Sequence, residues 1–524
     1  MASGQRAFTQ PALNKVIVMS SNTEPQKSNF VYFVSLLVVL GVVALGLIIP
    51  VQFGNFTGSL FVFLTKYMGW WYMLAVNFFV LFCIYMACSR FGRLKLGKAD
   101  EKPEFSTPTW FAMLFGAGHG VGMVFYGVAE PLINYIVRPF GAVENARAAE
   151  DAMRASVIHW GLHPWAVYAV IAMCLAYFQF RKGAPGLMSS LFIPILGSNA
   201  NRTLFGRIID VMAVFATIAG VATSLGLAIM QIGSGLEFLL DIPATARMQI
   251  ALTVVFGLFY TFCTVTGLDK GIKFLANSNL SLCIVLSVGL LLIGPSLVII
   301  ETFTNTLGNY LSNFVHDSFN TAPYGGDYRN WLDDWTLYYW AWWIAWGPFV
   351  GSFVARISRG RTIREFVAGV LIVPTLGGFV WFSIFGGTAL ELQVSGAADI
   401  AQTVKDNIST GIYVMYEQVS FGNIMSVLMM ILLIIFAITS ASSSTYVLSM
   451  YSSEGALHPS KPRMAVWGLL QAGLALVLMV SGGIKALQTS SIAAAAPFSI
   501  VMVLACVCLL KALRQDFPEG AEIK

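Results

Sequence analysis

An all-α polytopic membrane protein is the fold class this sequence predicts, on three observations. Of its 524 residues, 57% are hydrophobic and only 11% charged, against roughly a quarter charged in soluble domains; mean hydropathy is +0.73. The apolar residues gather into about twelve runs, each long enough for a spanning helix of ~20 residues. The charges between the runs are unevenly divided. A soluble chain of this composition would expose enough apolar surface to aggregate. Soluble enzymes, nucleic-acid binders and disordered scaffolds are therefore excluded.

Residues 1–29 are polar, lack a cleavable signal pattern and read as a cytoplasmic segment. Spans are predicted near 30–52, 69–89, 109–136, 157–180, 208–236, 249–267, 274–300, 334–355, 364–387, 424–451, 464–482 and 488–511, with a short cytoplasmic tail at 512–524. In the outer segment 301–333, the run TFTNTLGNYLSNFVHDSF is apolar on one face and predicts a helix lying in the interface. The outer segment 388–423 ends in a second amphipathic piece, DNISTGIYVMYEQV.

With the N-terminus inside, 23 of the 31 basic residues fall in inner segments. Lys66, Arg138, Arg147, Arg154, Arg247, Arg329, Lys405 and Lys485 remain outside. That is a positive-inside bias, and one miscounted span would erase it. The reading is therefore twelve spans with both ends cytoplasmic. The seven cysteines lie in apolar stretches without a C-x-x-C pair and read as small core residues. No P-loop is present, so any pumping must draw on a gradient.

Three stretches depart from plain membrane helix. In the third run, Gly116, Gly118, Gly120 and Gly122 stand two apart, and each costs a helix ~1 kcal/mol against alanine. Helix-packing glycines need a spacing of four. A spacing of two fits an unwound segment lining a cavity, as in the broken helices of secondary transporters. In the fourth run, Trp160, Trp165 and Tyr168 fall within an arc of about 140°, so the three can face one space; the alternative is an interfacial aromatic belt. His159 and His163 have a spacing that can hold zinc, but no third ligand accompanies them. In the eighth run, five of the thirteen tryptophans lie between 335 and 346. Trp335, Tyr339, Trp342 and Trp346 form one stripe there, about 16 Å long.

Faces of Trp and Tyr suit a quaternary ammonium or sulfonium, which has no N–H to donate. The third span has no acid before Glu130 near its outer end, and the eighth none past Asp334. A net cation would be met by a carboxylate here. Its absence points to a zwitterion.

At these residues the sequence resembles the betaine/choline/carnitine transporter family, through GAGHGVGMVFYGVAEP, HWGLHPWAVY and WTLYYWAWWIAWGPFVGSFVARISRGRTIREF. The resemblance covers about residues 30 to 510. It implies two leading helices (30–107) and a 5+5 inverted repeat of the leucine-transporter type. The first repeat would be 108–300 and the second 334–511, joined by the outer linker 301–333. It also implies a homotrimer in the inner (plasma) membrane, with no catalytic residue and no resident cofactor.

In the family's pattern Trp160, Trp165, Tyr168 and Trp343 make an aromatic box, with Trp346 beside the substrate. Trp342 and the glycines Gly118, Gly120 and Gly122 complete the candidate substrate-facing set. Choline carriers place an acid at the position of Gly122, so glycine there fits a betaine. Sodium-independent carnitine exchangers carry methionine at Val350 and arginine at Asn279; this chain has neither, which favours sodium as coupling ion. One sodium site would use backbone oxygens of Gly116, His119 and Phe436 with the hydroxyls of Thr439 and Ser440, all oxygen and suited to a hard cation. His119 stands where methionine is usual. A second site would involve Thr217 and Phe349, but Val221 replaces a threonine, leaving Thr223 as a neighbour able to rebuild it.

The function these readings imply is import of a zwitterionic onium osmolyte by sodium symport with alternating access. The headgroup stays open among glycine betaine, dimethylsulfoniopropionate, carnitine and ectoine. The alternative is a sodium-independent carnitine/betaine-type exchanger. A membrane-embedded enzyme would need a catalytic set; only His119 is placed deep, without HExxH or a paired acid. A passive channel would not accumulate substrate. The short tail, ending QDFPEGAEIK, argues against strong osmotic activation.

Overall fold

The computed structural model describes residues 29–118, 120–267 and 269–518. The polar segment up to residue 28, His119 and the tail from 519 onward lie outside the described residues. Within them the chain is helical throughout, with a single isolated bridge between Lys95 and Thr362. In order the helices are α1 (Phe30–Ile48), α2 (Pro50–Cys88), α3 (Thr107–Gly118), α4 (Gly120–Val137), α5 (Asn145–Trp160) and α6 (Leu162–Ala176). Then come α7 (Leu204–Leu240), α8 (Ala246–Thr266), α9 (Asp269–Ile293), α10 (Ser296–Phe319), α11 (Asp327–Asp334) and α12 (Thr336–Ile357). The chain closes with α13 (Ile363–Val394), α14 (Ala401–Asp406), α15 (Gly411–Glu417), α16 (Gly422–Tyr451) and α17 (Lys461–Asp516).

Each predicted span finds a helix, but several boundaries move. The second helix begins at Pro50, not 69, because proline at the first helical position has no N–H to leave unpaired. Its 39 residues are about 58 Å long at 1.5 Å per residue, well beyond a hydrocarbon core. Residues 145–156, predicted as outer loop, form α5, which is buried from Asp151 onward. The span predicted to reach 300 ends at Ile293; Gly294-Pro295 breaks it and α10 leaves at 114°. That bend lays out the amphipathic helix expected in the outer linker. The last two spans are two helices within α17 that meet at Gly483, whose φ 58° and ψ −144° are non-helical. The amphipathic piece after 406 folds inward as α15, with Tyr413 and Tyr416 fully buried.

By length and composition, nine helices among the described residues can cross a membrane, or ten if α9 and α10 count as one bent span. α12 is absent from that set although it is buried without a gap from Thr336 to Gly351. Its tryptophans and tyrosines carry polar tips that lower its hydropathy, while their rings supply the apolar area of a core helix. It sits at the centre: a Cβ on Gly351 would lie 2.4 Å from Ile171 of α6, and one on Gly220 of α7 would lie 2.7 Å from Trp346.

At the end opposite the outer linker, the turn between α12 and α13 is bound to the segment leading into α3. Leu96 N–H donates to the Arg361 carbonyl, and Gly360 N–H to that of Leu96, both at 2.8 Å. The Arg361 guanidinium is 2% exposed, lies 4.0 Å over the Trp110 ring, donates to the Phe105 carbonyl at 2.9 Å and pairs with Glu365. Arg356 binds both oxygens of Glu104 and holds that carboxyl below its ordinary range. These contacts fix where α3 starts relative to α12.

Burial over Trp110 is the main term, so Arg361→Ala should lower stability by about 3 kcal/mol, read as a lower unfolding temperature in detergent. Glu365, 42% exposed, should cost less than about 1 kcal/mol when replaced by alanine. Equal losses from the two variants would show that the ion pair holds the turn.

Candidate functional site

The predicted break in the third span is present. Gly120 has φ +36°, a backbone that L side chains rarely adopt and that no right-handed helix contains. The glycines on either side then meet aromatic rings. A Cβ on Gly118 would lie 2.4 Å from Trp165, and one on Gly122 would lie 2.6 Å from Trp342 and 2.9 Å from Trp160. Gly116, by contrast, faces open space.

A second break shapes the opposite wall. Trp160, Trp165 and Tyr168 are not on one continuous helix, because Gly161 (φ −89°, ψ −136°) separates α5 from α6. The orphaned N–H of Leu162 donates to the Tyr310 hydroxyl of α10 at 3.1 Å. The three rings nevertheless converge. Trp160 and Trp343 stand 5.0 Å apart at 75°, Tyr168 and Trp343 6.3 Å at 80°, and Trp165 and Tyr168 5.6 Å at 81°. These are edge-to-face contacts, the favoured geometry for ring quadrupoles. Trp342 stacks on Trp343 at 4.9 Å and donates its indole N–H to the Gly220 carbonyl at 3.2 Å. Every ring in the group, Trp346 included, is at most 5% exposed. Two buried donors here, the Tyr168 hydroxyl and the Trp346 indole N–H, have no partner among the described residues.

An acid lies one layer behind the box, which the sequence reading treated as acid-free. Glu130 is fully buried and accepts from the Trp160 indole (3.0 Å), the Tyr339 hydroxyl (2.6 Å) and His159 Nδ1 (2.6 Å). His159 Nε2 bonds the Thr336 hydroxyl at 2.9 Å. His163 instead meets Asn77 and Ser318 on α2 and α10. The two imidazoles thus serve different partners, and both are fully buried. Glu130 was in view as the acid of the AEP motif. Its distance along the helix concealed that it faces Trp160 and Tyr339 on other helices.

Beneath the box lies a cavity of about 520 Å³ between α3, α9, α12 and α16. Gly116, Phe436, Thr439 and Ser440, four of the five predicted ion-site residues, line it together, as does Phe349. Asn279 also lines it and donates to the Thr439 hydroxyl at 3.4 Å. Thr217 does not line it; its hydroxyl bonds the Ala213 carbonyl at 2.8 Å inside α7. Thr223 is committed to α17, through the Leu487 carbonyl (2.8 Å) and the Ser491 hydroxyl (2.9 Å). Val221 between them is buried.

Residues 30–518 match the family model described as BCCT, betaine/carnitine/choline family transporter. The chain is 45% identical over 487 residues to the glycine betaine transporter OpuD of Bacillus subtilis (strain 168), covering 93% of this chain and 94% of that one. It is 42% identical over 496 residues to a probable glycine betaine transporter of Desulfitobacterium hafniense (strain Y51), covering 94% and 99%. To an ectoine/hydroxyectoine transporter of Virgibacillus pantothenticus it is 42% identical over 479 residues, covering 91% and 95%.

Because the rings occupy the space of a side chain at Gly122, Gly122→Ala must push Trp342 and Trp160 apart. The expected cost is about 1–3 kcal/mol, with a shift in intrinsic tryptophan emission. Gly116→Ala, in open space, should leave the emission unchanged. A silent Gly122→Ala would mean that the rings do not rest on that backbone.

Proposed function

This chain belongs to the betaine/carnitine/choline family of transporters, and from that premise we propose that it imports a zwitterionic onium compound, glycine betaine or a close analogue, by sodium symport. The observation that carries the reading is the buried box of Trp160, Trp165, Tyr168 and Trp343, with the unpartnered donors of Tyr168 and Trp346 among its rings. Ring faces attract an onium head without needing an N–H from it. Free donors suit a ligand that brings its own carboxylate. The near relatives named for glycine betaine and for ectoine fit this chemistry.

In this reading Trp342 forms the outer wall, while Gly118, Gly120 and Gly122 bring backbone close to the ligand. A sodium ion would be held by the carbonyls of Gly116 and Phe436 and the hydroxyls of Thr439 and Ser440, which line the cavity, with the carbonyl of His119, outside the described residues, as the fifth oxygen. Asn279, neutral and beside Thr439, leaves that place without a fixed cation, which supports an ion-coupled carrier over an exchanger. Thr217 and Phe349 would give at most a weak second site, since Thr223 is held by α17. Alternating access would move the repeats at 108–300 and 334–511 about the box, after two leading helices and within twelve crossings. We place the protein as a homotrimer in the inner membrane with both termini cytoplasmic.

Uptake of labelled glycine betaine into proteoliposomes tests the whole reading, with competition by dimethylsulfoniopropionate, carnitine and ectoine ranking the substrates. Trp343→Ala should lower betaine affinity roughly thirtyfold, for about 2 kcal/mol of desolvated cation–π contact. Normal affinity in that variant would remove the box from the mechanism.

Sodium dependence is a separate measurement. Uptake should follow the Na⁺ gradient with a Hill coefficient nearer one than two. The paired change Thr439→Ala with Ser440→Ala should raise the Na⁺ requirement steeply and alter betaine affinity at saturating Na⁺ much less. Uptake undiminished without Na⁺ or a proton gradient would leave the exchanger standing.

A further inference from the structure

Glu130 is a carboxyl group with no exposure, inside a membrane protein, whose one basic partner among the described residues is His159. Burying such a group is costly unless it is bonded and has work to do. Its bonds are not scattered. Oε2 receives both the Trp160 indole N–H and the Tyr339 hydroxyl, and Oε1 receives His159 Nδ1. His159 turns its other nitrogen to Thr336 at the start of α12, while its backbone carbonyl accepts the Trp343 indole N–H at 3.0 Å. Two walls of the box, Trp160 and Trp343, are therefore held by the Glu130–His159 pair. Tyr339 stacks on the His159 ring at 4.6 Å and on Trp343 at 5.8 Å, filling the space between them.

The pair is also oriented. The oxygen that faces the rings is the one bonded to Trp160 and Tyr339, and the imidazole lies on the far oxygen. A carboxylate accepting an indole N–H pushes electron density into the ring, and its field crosses a region of low dielectric. Both effects deepen the attraction of the Trp160 face for a cation.

We propose that Glu130 is a positioning residue that sets the preference of the box for a positively charged head, acting through Trp160 and Tyr339 rather than by touching the ligand. The proposal rests on the onium-binding reading of the box. It requires that the box discriminate an onium from an uncharged group of the same shape, and that Glu130 supply part of that discrimination.

The probe pair is glycine betaine and 3,3-dimethylbutanoate, in which a carbon replaces the quaternary nitrogen at the same size. Binding of each to the purified full-length chain is measured by tryptophan fluorescence and calorimetry. Glu130→Gln keeps the shape and one acceptor for Trp160 and Tyr339 but removes the charge. It should narrow the betaine-over-isostere preference about tenfold, by weakening betaine while leaving the isostere unchanged. Glu130→Asp, which keeps the charge but withdraws it by one methylene, should narrow the preference less, and it supplies the measurement if Glu130→Gln does not fold.

A merely structural carboxylate would lower both affinities together, and an unchanged ratio in the folded variant overturns the proposal. Trp343→Ala separates the two failures. If it weakens betaine while Glu130→Gln preserves the ratio, only Glu130's role is lost. If Trp343→Ala leaves betaine binding intact, the box is not the onium site and this proposal falls with it.

Discussion

The rings of Trp165, Trp342 and Trp160 occupy the space that a methyl group would need on Gly118 or Gly122. That close approach of backbone to indole is the constraint from which the rest of the site follows. Tryptophan is the largest side chain, and a helix crossing at its usual separation could not be filled by three of them without displacing the facing backbone. The glycines remove that obstacle, at a cost in helical stability that the packed rings offset. The same glycines permit the left-handed turn at Gly120, so the helix is broken where the rings are densest. One face of the broken segment is pressed against the aromatic box. Its other end, at Gly116, opens to the cavity lined by Thr439 and Ser440. A single local feature thereby supplies close packing on one side and accessible backbone on the other.

Several ionisable groups in the core follow the rule that burial demands a partner. Glu130 has three donors, His163 is shared by Asn77 and Ser318, and the Arg361 guanidinium is divided among Glu365, the Phe105 carbonyl and the Trp110 face. Other buried polar atoms, such as Gln231 Oε1 and the hydroxyls of Ser383 and Tyr416, have no partner among the described residues. The Tyr168 hydroxyl, the Trp346 indole N–H and Asn279 Oδ1 are all buried without a partner, two of them in the aromatic box and the third at the cavity. In the proposed function a bound zwitterion and ion would supply partners to these three.

Much of this was legible in the residue order. Apolar runs separated by charge located every major helix, because hydrocarbon imposes the same length on each. Where the reading slipped, it was by equating the apolar stretch with the helix. α2 starts at Pro50 and α5 at Asn145 since hydrogen-bonded backbone continues into polar sequence once neighbours cover it. The glycine pattern pointed to a broken third span and the tryptophan stripe to a ligand wall. Gly161 was passed over as a helical residue within an aromatic segment. Its break becomes intelligible only when Tyr310 is seen bonding the freed N–H of Leu162.

Composition, periodicity and motif thus settled that this is a helical membrane protein of the betaine/carnitine/choline family, with aromatic residues clustered at 160–168 and 335–346. Those properties are carried by single helices, whose spacing of 3.6 residues per turn states which side chains share a face. Which faces meet was decided by the tertiary structure alone. Spacing along a chain gives an angle about its own axis and no distance to another helix. Glu130 therefore read as an acid near one end of a span, and it became the support of the box only when Trp160 and Tyr339 arrived from α5 and α12 to donate to it.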